Sequence, residues 1–294
     1  MKMHKRKPQW LNTVYNKEAK EAIREMNVML NELSLNTVCK EANCPNMGEC
    51  FKKNTATFMI MGPNCTRHCR FCNVSKGEIF PLDPKEPENV AKASKKLGLQ
   101  HIVVTSVTRD DLDDGGASHF AETIRAIKRE LPHATVEVLI PDLKGIEESI
   151  DIVIDAKPDV INHNVETVPS LYSIVRPGAD YNRSLNVLKY VKEKSSDILT
   201  KTGIMVGLGE KIEEVSKLMD DLVKIDCDIF TIGQYLRPSS KHIEVKEYVA
   251  PEIFEEYKKI AQEKGIKYTA SAPLVRSSYN ALEAIEKIRR EYSI

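Results

Sequence analysis

Short, β-branched apolar runs that alternate with amphipathic stretches constrain this chain more than any other feature. The runs occupy residues 57–61, 101–107, 135–140, 160–165, 199–206 and 228–236. Thr57-Phe58-Met59-Ile60-Met61, for example, stops at Gly62-Pro63. A continuous apolar run of this length, bounded by polar or turn residues, reads as a parallel strand buried on both faces. Between the runs the spacing becomes helical. Phe120, Ile124, Ile127 and Leu131 fall on one helix face, and Val215, Leu218, Met219, Leu222 and Val223 repeat the pattern. Residues 147–154, 184–191 and 251–264 are further helical candidates. Repeated β-α order predicts a parallel sheet, either doubly wound or closed into a barrel. The residues before position 56 read as irregular or weakly helical. After 264 come a short run, 267–272, and a polar helix. A chain of 294 residues suits one large domain or two small ones.

Charge excludes some partners. The 43 basic and 43 acidic side chains cancel, so the chain lacks the net basic balance of a nucleic-acid binder. No stretch reaches the roughly 18 apolar residues that span a membrane. The start is basic (Lys2, Lys5, Arg6, Lys7) but no apolar run follows it, so no secretory signal is read. Glu18, Glu21 and Glu25 come too early for a mitochondrial presequence. A cytoplasmic enzyme is expected. The basic start reads as a solvated arm, with contact to an acidic partner as the alternative.

Six of the seven cysteines lie between Cys39 and Cys72. In a long chain without a secretory signal, clustered cysteines bind metal more often than they form disulfides. Cys227, among Ile225, Ile229 and Phe230, reads as an inert buried thiol. Cys65, Cys69 and Cys72 form C-x3-C-x2-C on the loop after the first predicted strand. Three thiolates at this spacing can hold three corners of a cubane cluster and leave the fourth iron free for a ligand. A structural zinc site would normally be closed by four ligands. His68 is a conceivable fourth, but it lies inside the loop between two cysteines. Cys39, Cys44 and Cys50 form a second triplet, C-x4-C-x5-C, whose generic reading is another metal site. Arg276-Ser277-Ser278-Tyr279, taken alone, reads as a polar turn.

Together these motifs resemble the lipoyl synthase family of the radical S-adenosylmethionine superfamily. The likeness runs along nearly the whole chain. It includes Lys7-Pro8-Gln9-Trp10-Leu11, the segment Thr105 to Leu112, Asn162-His163-Asn164-Val165-Glu166, Arg176-Pro177-Gly178-Ala179, the segment Thr200 to Glu210, and Gly233-Gln234-Tyr235-Leu236-Arg237-Pro238. Met47, Phe51 and Asn280 are mild departures that remove no ligand.

The resemblance implies a partial (α/β)6 TIM-type barrel over residues 57–240. An N-terminal extension, 1–56, and a C-terminal extension, 241–294, would carry an auxiliary 4Fe-4S cluster. Cys65, Cys69 and Cys72 would hold the first 4Fe-4S cluster. Its open iron would be chelated by S-adenosylmethionine, whose cleavage gives a 5′-deoxyadenosyl radical. Cys39, Cys44, Cys50 and a serine of the R-S-S-Y motif would hold the auxiliary cluster, the sulfur donor. Ser278 is taken over Ser277 as that ligand and counted with the cysteines in the catalytic set. Asn164, Glu166 and Arg176 are candidate contacts to S-adenosylmethionine, whereas His163 and Tyr181 read as structural. Asp110, Asp111 and Asp114 have a plain alternative as helix caps. Gly203, Gly207 and Gly209 have one as tight turns.

The implied reaction inserts sulfur at carbons six and eight of an octanoyl group on a lysine of a carrier domain. Such carriers belong to 2-oxoacid dehydrogenase complexes and the glycine cleavage system. The implied electron donor is a reduced ferredoxin or flavodoxin. A radical enzyme that thiolates another substrate should lack the paired C-x4-C-x5-C and R-S-S-Y, and a zinc module would not cleave S-adenosylmethionine.

Overall fold

Eight strands form one sheet; the six apolar runs account for six of them and the short run 267–272 for a seventh. They are β1 (Asn36–Thr37), β2 (Thr57–Ile60), β3 (His101–Ser106), β4 (Thr135–Leu139), β5 (Val160–Asn162), β6 (Leu199–Val206), β7 (Ile229–Gln234) and β8 (Tyr268–Ser271). The computed structural model describes residues 6–13, 15–53, 55–278 and 281–292; Lys2, Lys5, Tyr279 and Asn280 lie outside them. The strands pair in chain order. β2 to β8 are parallel, and β1 runs antiparallel to β2. Among the described residues β8 does not pair with β1 or β2, so the barrel is partial.

Helices link successive strands, which is what keeps the sheet parallel. Ala117–Glu130, Glu147–Asp155, Tyr181–Lys194, Ile212–Lys224 and Pro251–Glu263 lie where the periodicity places them. Every residue of β2 and of β7 is buried, as expected of strands covered on both faces. The barrel interior also holds a buried ion pair. Lys201 Nζ lies 2.9 Å from both oxygens of Glu137, and Asn162 Nδ2 donates to the same carboxylate at 3.2 Å. The helix Ala281–Tyr292 packs Ala284, Ile285 and Ile288 on Val160, Leu199 and Ile229. Those three residues open β5, β6 and β7, so this helix closes the N-terminal end of the barrel.

Before position 56 the chain is more ordered than its sequence suggests. Lys17–Glu32 is a helix that buries Ala19, Met26, Met29 and Leu30. Asn16 caps it, its side chain accepting from Ala19 N at 2.9 Å. Lysine and glutamate dominate the stretch and dilute its apolar stripe. The helix Glu86–Lys96, between β2 and β3, is masked in the same way, because alanine and proline supply much of its buried face.

After β8 the chain turns back along the sheet. Gln234 N donates to Pro273 O at 3.1 Å, and Asn46 Nδ2 donates to Leu274 O at 2.7 Å. A side chain at Gly233 would meet Val275 O at 2.1 Å, so only glycine lets this segment lie so close. The C-terminal strap is thereby tied both to β7 and to the cysteine-rich N-terminal segment.

Candidate active site

The first cysteine loop begins where β2 ends in a left-handed turn. Met61 has φ +69° and Gly62 φ +86°. A left-handed methionine is strained, and it is held from both sides. Met61 N donates to Glu86 Oε2 at 2.8 Å, and Arg109 Nη1 donates to Met61 O at 3.4 Å. The loop then carries Cys65, Cys69 and Cys72. Cys65 Sγ accepts from Thr108 N at 3.3 Å and from Arg67 N at 3.4 Å. Cys72 receives a hydrogen bond from the backbone of Val74. Burial raises the thiols of Cys69 and Cys72, the latter to about 11. His68 is exposed.

Asn164, Glu166 and Arg176 gather beside Cys69. Glu166 is left-handed at φ +66°, while its N–H donates to Gly203 O and its carbonyl accepts from Met205 N, both at 2.9 Å. Asn164 Nδ2 donates to Glu166 Oε1 at 3.2 Å, and Arg176 Nη1 donates to Asn164 O at 2.8 Å. Burial raises the Glu166 carboxyl against the opposing charge of Arg176. Cys69 feels the charges of both Arg176 and Glu166, and it is hydrogen-bonded to Arg176. Asn164 Oδ1 and Arg176 Nε are buried without a hydrogen-bond partner. A buried acceptor and a buried guanidinium donor left over in one place suit a ligand with both amino and carboxylate groups.

Cys39, Cys44 and Cys50 lie on two short helices, Val38–Glu41 and Met47–Lys52, and the turn between them. Thr37 accepts from Cys39 N at 3.2 Å. Tyr15 packs on Gly48, and its hydroxyl donates to Cys44 O or Pro45 O, each 3.3 Å away. Burial pushes the Cys50 thiol to about 12, with the charges of Cys39 and Cys44 adding to the effect. Burial raises the Cys44 thiol as well, against a hydrogen bond from the backbone of Asn46 and the opposing charge of Arg276. Ser277 Oγ accepts from Asn164 Nδ2 at 3.3 Å. Ser278 instead lines a cavity together with Cys50 and His101.

These residues fit iron–sulfur clusters better than single ions. Among the described residues no three His, Cys, Asp or Glu side chains converge closely enough to hold one metal ion. Burial raises Cys50 and Cys72 most, but the charges of Cys39 and Cys44 also reach Cys50, and those of Cys69 and Cys65 reach Cys72. Three thiolates apiece suit a cubane, which presents a separate iron to each. All seven cysteines are free thiols. Burying a bare thiolate is unfavourable, whereas a coordinated one is stabilised by the metal and by backbone N–H groups aimed at the sulfur.

Other sequence candidates take structural places. Asp114 accepts from Gly116 N and Ser118 N, both at 2.8 Å, and caps the helix Ala117–Glu130. Asp111 pairs with Arg109, Nη2 to Oδ2 at 2.8 Å. His163 is buried, with its Nδ1 2.9 Å from Ile140 O. Tyr181 donates to Asp221 at 3.2 Å and packs edge-on against Tyr172. Gly207 and Gly209 are left-handed, and a side chain at Gly203 would strike Thr231 Oγ1 at 2.4 Å. Cys227 is buried, its thiol pushed to about 12. Glu86, Arg67 and Asp142 belong to the site but were not read from the sequence, because their partners lie in distant loops.

Known proteins resemble this chain in sequence and in fold. The Radical SAM superfamily model matches residues 59–222. The lipoyl synthase of Caldanaerobacter subterraneus subsp. tengcongensis is 64% identical over 94% of this chain and 96% of that protein. The lipoyl synthase of Alkaliphilus metalliredigens is 54% identical over 96% of this chain and 97% of that protein. Among solved structures, HydG, a maturase of the [FeFe]-hydrogenase, superposes with TM-score 0.60 at 13% identity, covering 96% of this chain and 72% of that one. Methylornithine synthase (PylB) gives TM-score 0.56 at 16% identity, covering 89% and 88%. At such identities the two structures speak for the fold alone.

Proposed function

The chain belongs to the lipoyl synthase family of the radical S-adenosylmethionine superfamily, and on that premise we propose how its residues divide the work. It is a radical sulfurtransferase that uses 4Fe-4S chemistry and S-adenosylmethionine to convert octanoylated carrier protein to the lipoyl form. In our reading Cys65, Cys69 and Cys72 hold the first cluster. Cys39, Cys44 and Cys50 hold the auxiliary cluster, with a hydroxyl of the R-S-S-Y motif as fourth ligand. Ser278, which shares a cavity wall with Cys50, is the candidate for that hydroxyl. When bound, the first cluster supplies the electron that cleaves S-adenosylmethionine, and the auxiliary cluster supplies the sulfur placed at carbons six and eight.

The protein's own groups bind and orient. Arg176 and Asn164 offer the unpartnered donor and acceptor that suit the carboxylate and amino groups of S-adenosylmethionine, and Glu166 offers a second acceptor. The positive charge of Arg276 works against the burial that raises the Cys44 thiol. The three-part division 1–56, 57–240 and 241–294 describes this labour. The flanking parts carry the auxiliary ligands, and the middle part carries the radical site. The lipoyl carriers of 2-oxoacid dehydrogenases and of the glycine cleavage system are the proposed substrates. A reduced ferredoxin or flavodoxin is the proposed donor, and the cytoplasm, where free thiols persist, is the proposed compartment. No helix among the described residues is long and apolar enough to cross a membrane.

One observation carries the reading. The segment Leu274 to Ser278 is tied to both candidate centres, Leu274 through Asn46 beside Cys44 and Ser277 through Asn164. The test is anaerobic reconstitution with iron and sulfide, followed by S-adenosylmethionine, reductant and an octanoyl-lysine peptide. Mass spectrometry should find peptide carrying two added sulfurs. If 5′-deoxyadenosine forms while the peptide stays unchanged, the substrate assignment is wrong and the radical chemistry stands.

A further inference from the structure

Arg67 lies between Cys65 and Cys69, two positions from each, and its side chain reaches Asp110 and Asp142. Its Nε donates to Asp110 Oδ2 at 2.7 Å, and its Nη2 to Asp110 Oδ1 at 2.9 Å. The same Nη2 donates to Asp142 Oδ1 at 2.7 Å. The Arg67 side chain is 11% exposed and that of Asp142 is fully buried. Asp110 follows β3 and Asp142 follows β4, so one guanidinium ties the cysteine loop to two strand ends. Arg183, from the helix Tyr181–Lys194, approaches the other Asp142 oxygen at 3.4 Å. Thr66 reinforces the tie. Its N–H and hydroxyl donate to Thr108 O at 3.0 and 2.9 Å, and its oxygen accepts from Asp110 N at 3.1 Å.

A fully buried carboxylate needs a charged partner, and Arg67 is the nearer of its two. The planar fork fixes orientation as well as distance, which an ammonium on a flexible stem does not. Cys65 and Cys69 lie two residues either side of this anchor, so a shift of the backbone at Arg67 would move both thiols. We infer that Arg67 is the positioning residue that sets the direction in which the three thiols of the first loop face, acting through Asp110 and Asp142. The inference rests on the reading that Cys65, Cys69 and Cys72 hold the cluster that meets S-adenosylmethionine.

The test uses the reconstituted full chain and the substitutions Arg67→Lys, Arg67→Gln and Asp142→Asn. Iron and sulfide content, the KM and kcat of S-adenosylmethionine cleavage, and the electron paramagnetic resonance change on adding S-adenosylmethionine are measured. R67K should hold native amounts of iron, since its thiols are intact. Its KM should rise about tenfold to about a hundredfold, the scale of a small misplacement of reacting groups. The spectral response to S-adenosylmethionine should weaken in parallel. D142N should shift both in the same direction, and R67K/D142N should be less damaged than the two effects added, because the residues act as one unit. R129Q, at an exposed ion pair with Glu88, serves as control and should match the native enzyme. An R67K enzyme with full iron, native KM and native spectral response would overturn the inference. Should both Arg67 variants lose iron, a native-like D142N would overturn it as well. A native enzyme that cleaves no S-adenosylmethionine would overturn the cluster reading, and this inference with it.

Discussion

Asn164 Nδ2 donates to Ser277 Oγ at 3.3 Å across 113 residues of chain. Through this bond a residue just past β5, beside Cys69, meets the motif that faces the other cysteine triplet. The two candidate centres therefore share a wall, and substitutions on either side should separate their roles.

The two triplets should fail differently. Cys65→Ala is expected to abolish formation of 5′-deoxyadenosine. Cys39→Ala should retain that cleavage and lose sulfur insertion, with about half the iron of the native protein if each triplet holds one cluster. Iron analysis with product chromatography checks both. Equal loss of cleavage in the two variants would mean that the triplets do not hold separate clusters.

The serines can be distinguished in the same way. Ser278→Ala should lose peptide thiolation while cleaving S-adenosylmethionine, and Ser277→Ala should thiolate. The reverse result would move the iron ligand to Ser277 and leave Ser278 as cavity lining. Mass spectrometry of the peptide and iron content of each variant decide between them.

Arg176→Lys should raise the KM for S-adenosylmethionine about tenfold to about a hundredfold, or ~1.4 to 2.8 kcal/mol, because the planar fork is lost while the charge remains. Its iron content should be unchanged. A native KM would place Arg176 among the structural residues, holding Asn164 and Tyr172.

The ion pair inside the barrel makes a prediction about stability. Glu137→Gln leaves the Lys201 ammonium buried opposite a neutral group and should cost about 3 to 5 kcal/mol. Glu137→Leu combined with Lys201→Met, which removes both charges, should cost far less. Urea denaturation measures each. Equal losses would show that the pair matters through shape rather than charge.

Stability should also fall in mild acid. Burial, then the nearby Arg176, hold the His163 imidazole down at about 4, below its ordinary 6.5. A histidine depressed in the folded state binds its proton more readily when unfolded. Its contribution is thus complete above pH 6.5 and is lost as pH falls toward 4. In that window the loss should approach about 1.4 kcal/mol per pH unit. His163→Gln should flatten the dependence, as read from urea midpoints at several pH values. An unchanged slope would assign the effect elsewhere.

What the sequence revealed follows from how far apart the cooperating residues lie. β2 to β7 were legible because each is a continuous apolar run, and the thiol triplets because their ligands are close neighbours in the chain. Lys17–Glu32 was obscure because its buried stripe is sparse among lysines and glutamates. Arg67 carried no signal, since its meaning depends on Asp142, 75 residues away. The strain at Met61 was equally silent, because the Glu86 carboxylate that holds it comes from a helix with little apolar periodicity.

The strap joining Asn46 to Leu274 has a consequence in time. Cys39, Cys44 and Cys50 leave the ribosome long before Arg276, Ser277 and Ser278 are made. Throughout most of synthesis the N-terminal thiols therefore stand without the charge and hydroxyls that complete their surroundings. The first loop, by contrast, has Thr108, Asp110, Asp142 and Arg176 about a hundred residues or more earlier than that segment. In synthesis from the N-terminus, the residues around the first loop are thus all made before Arg276, Ser277 and Ser278 join the second.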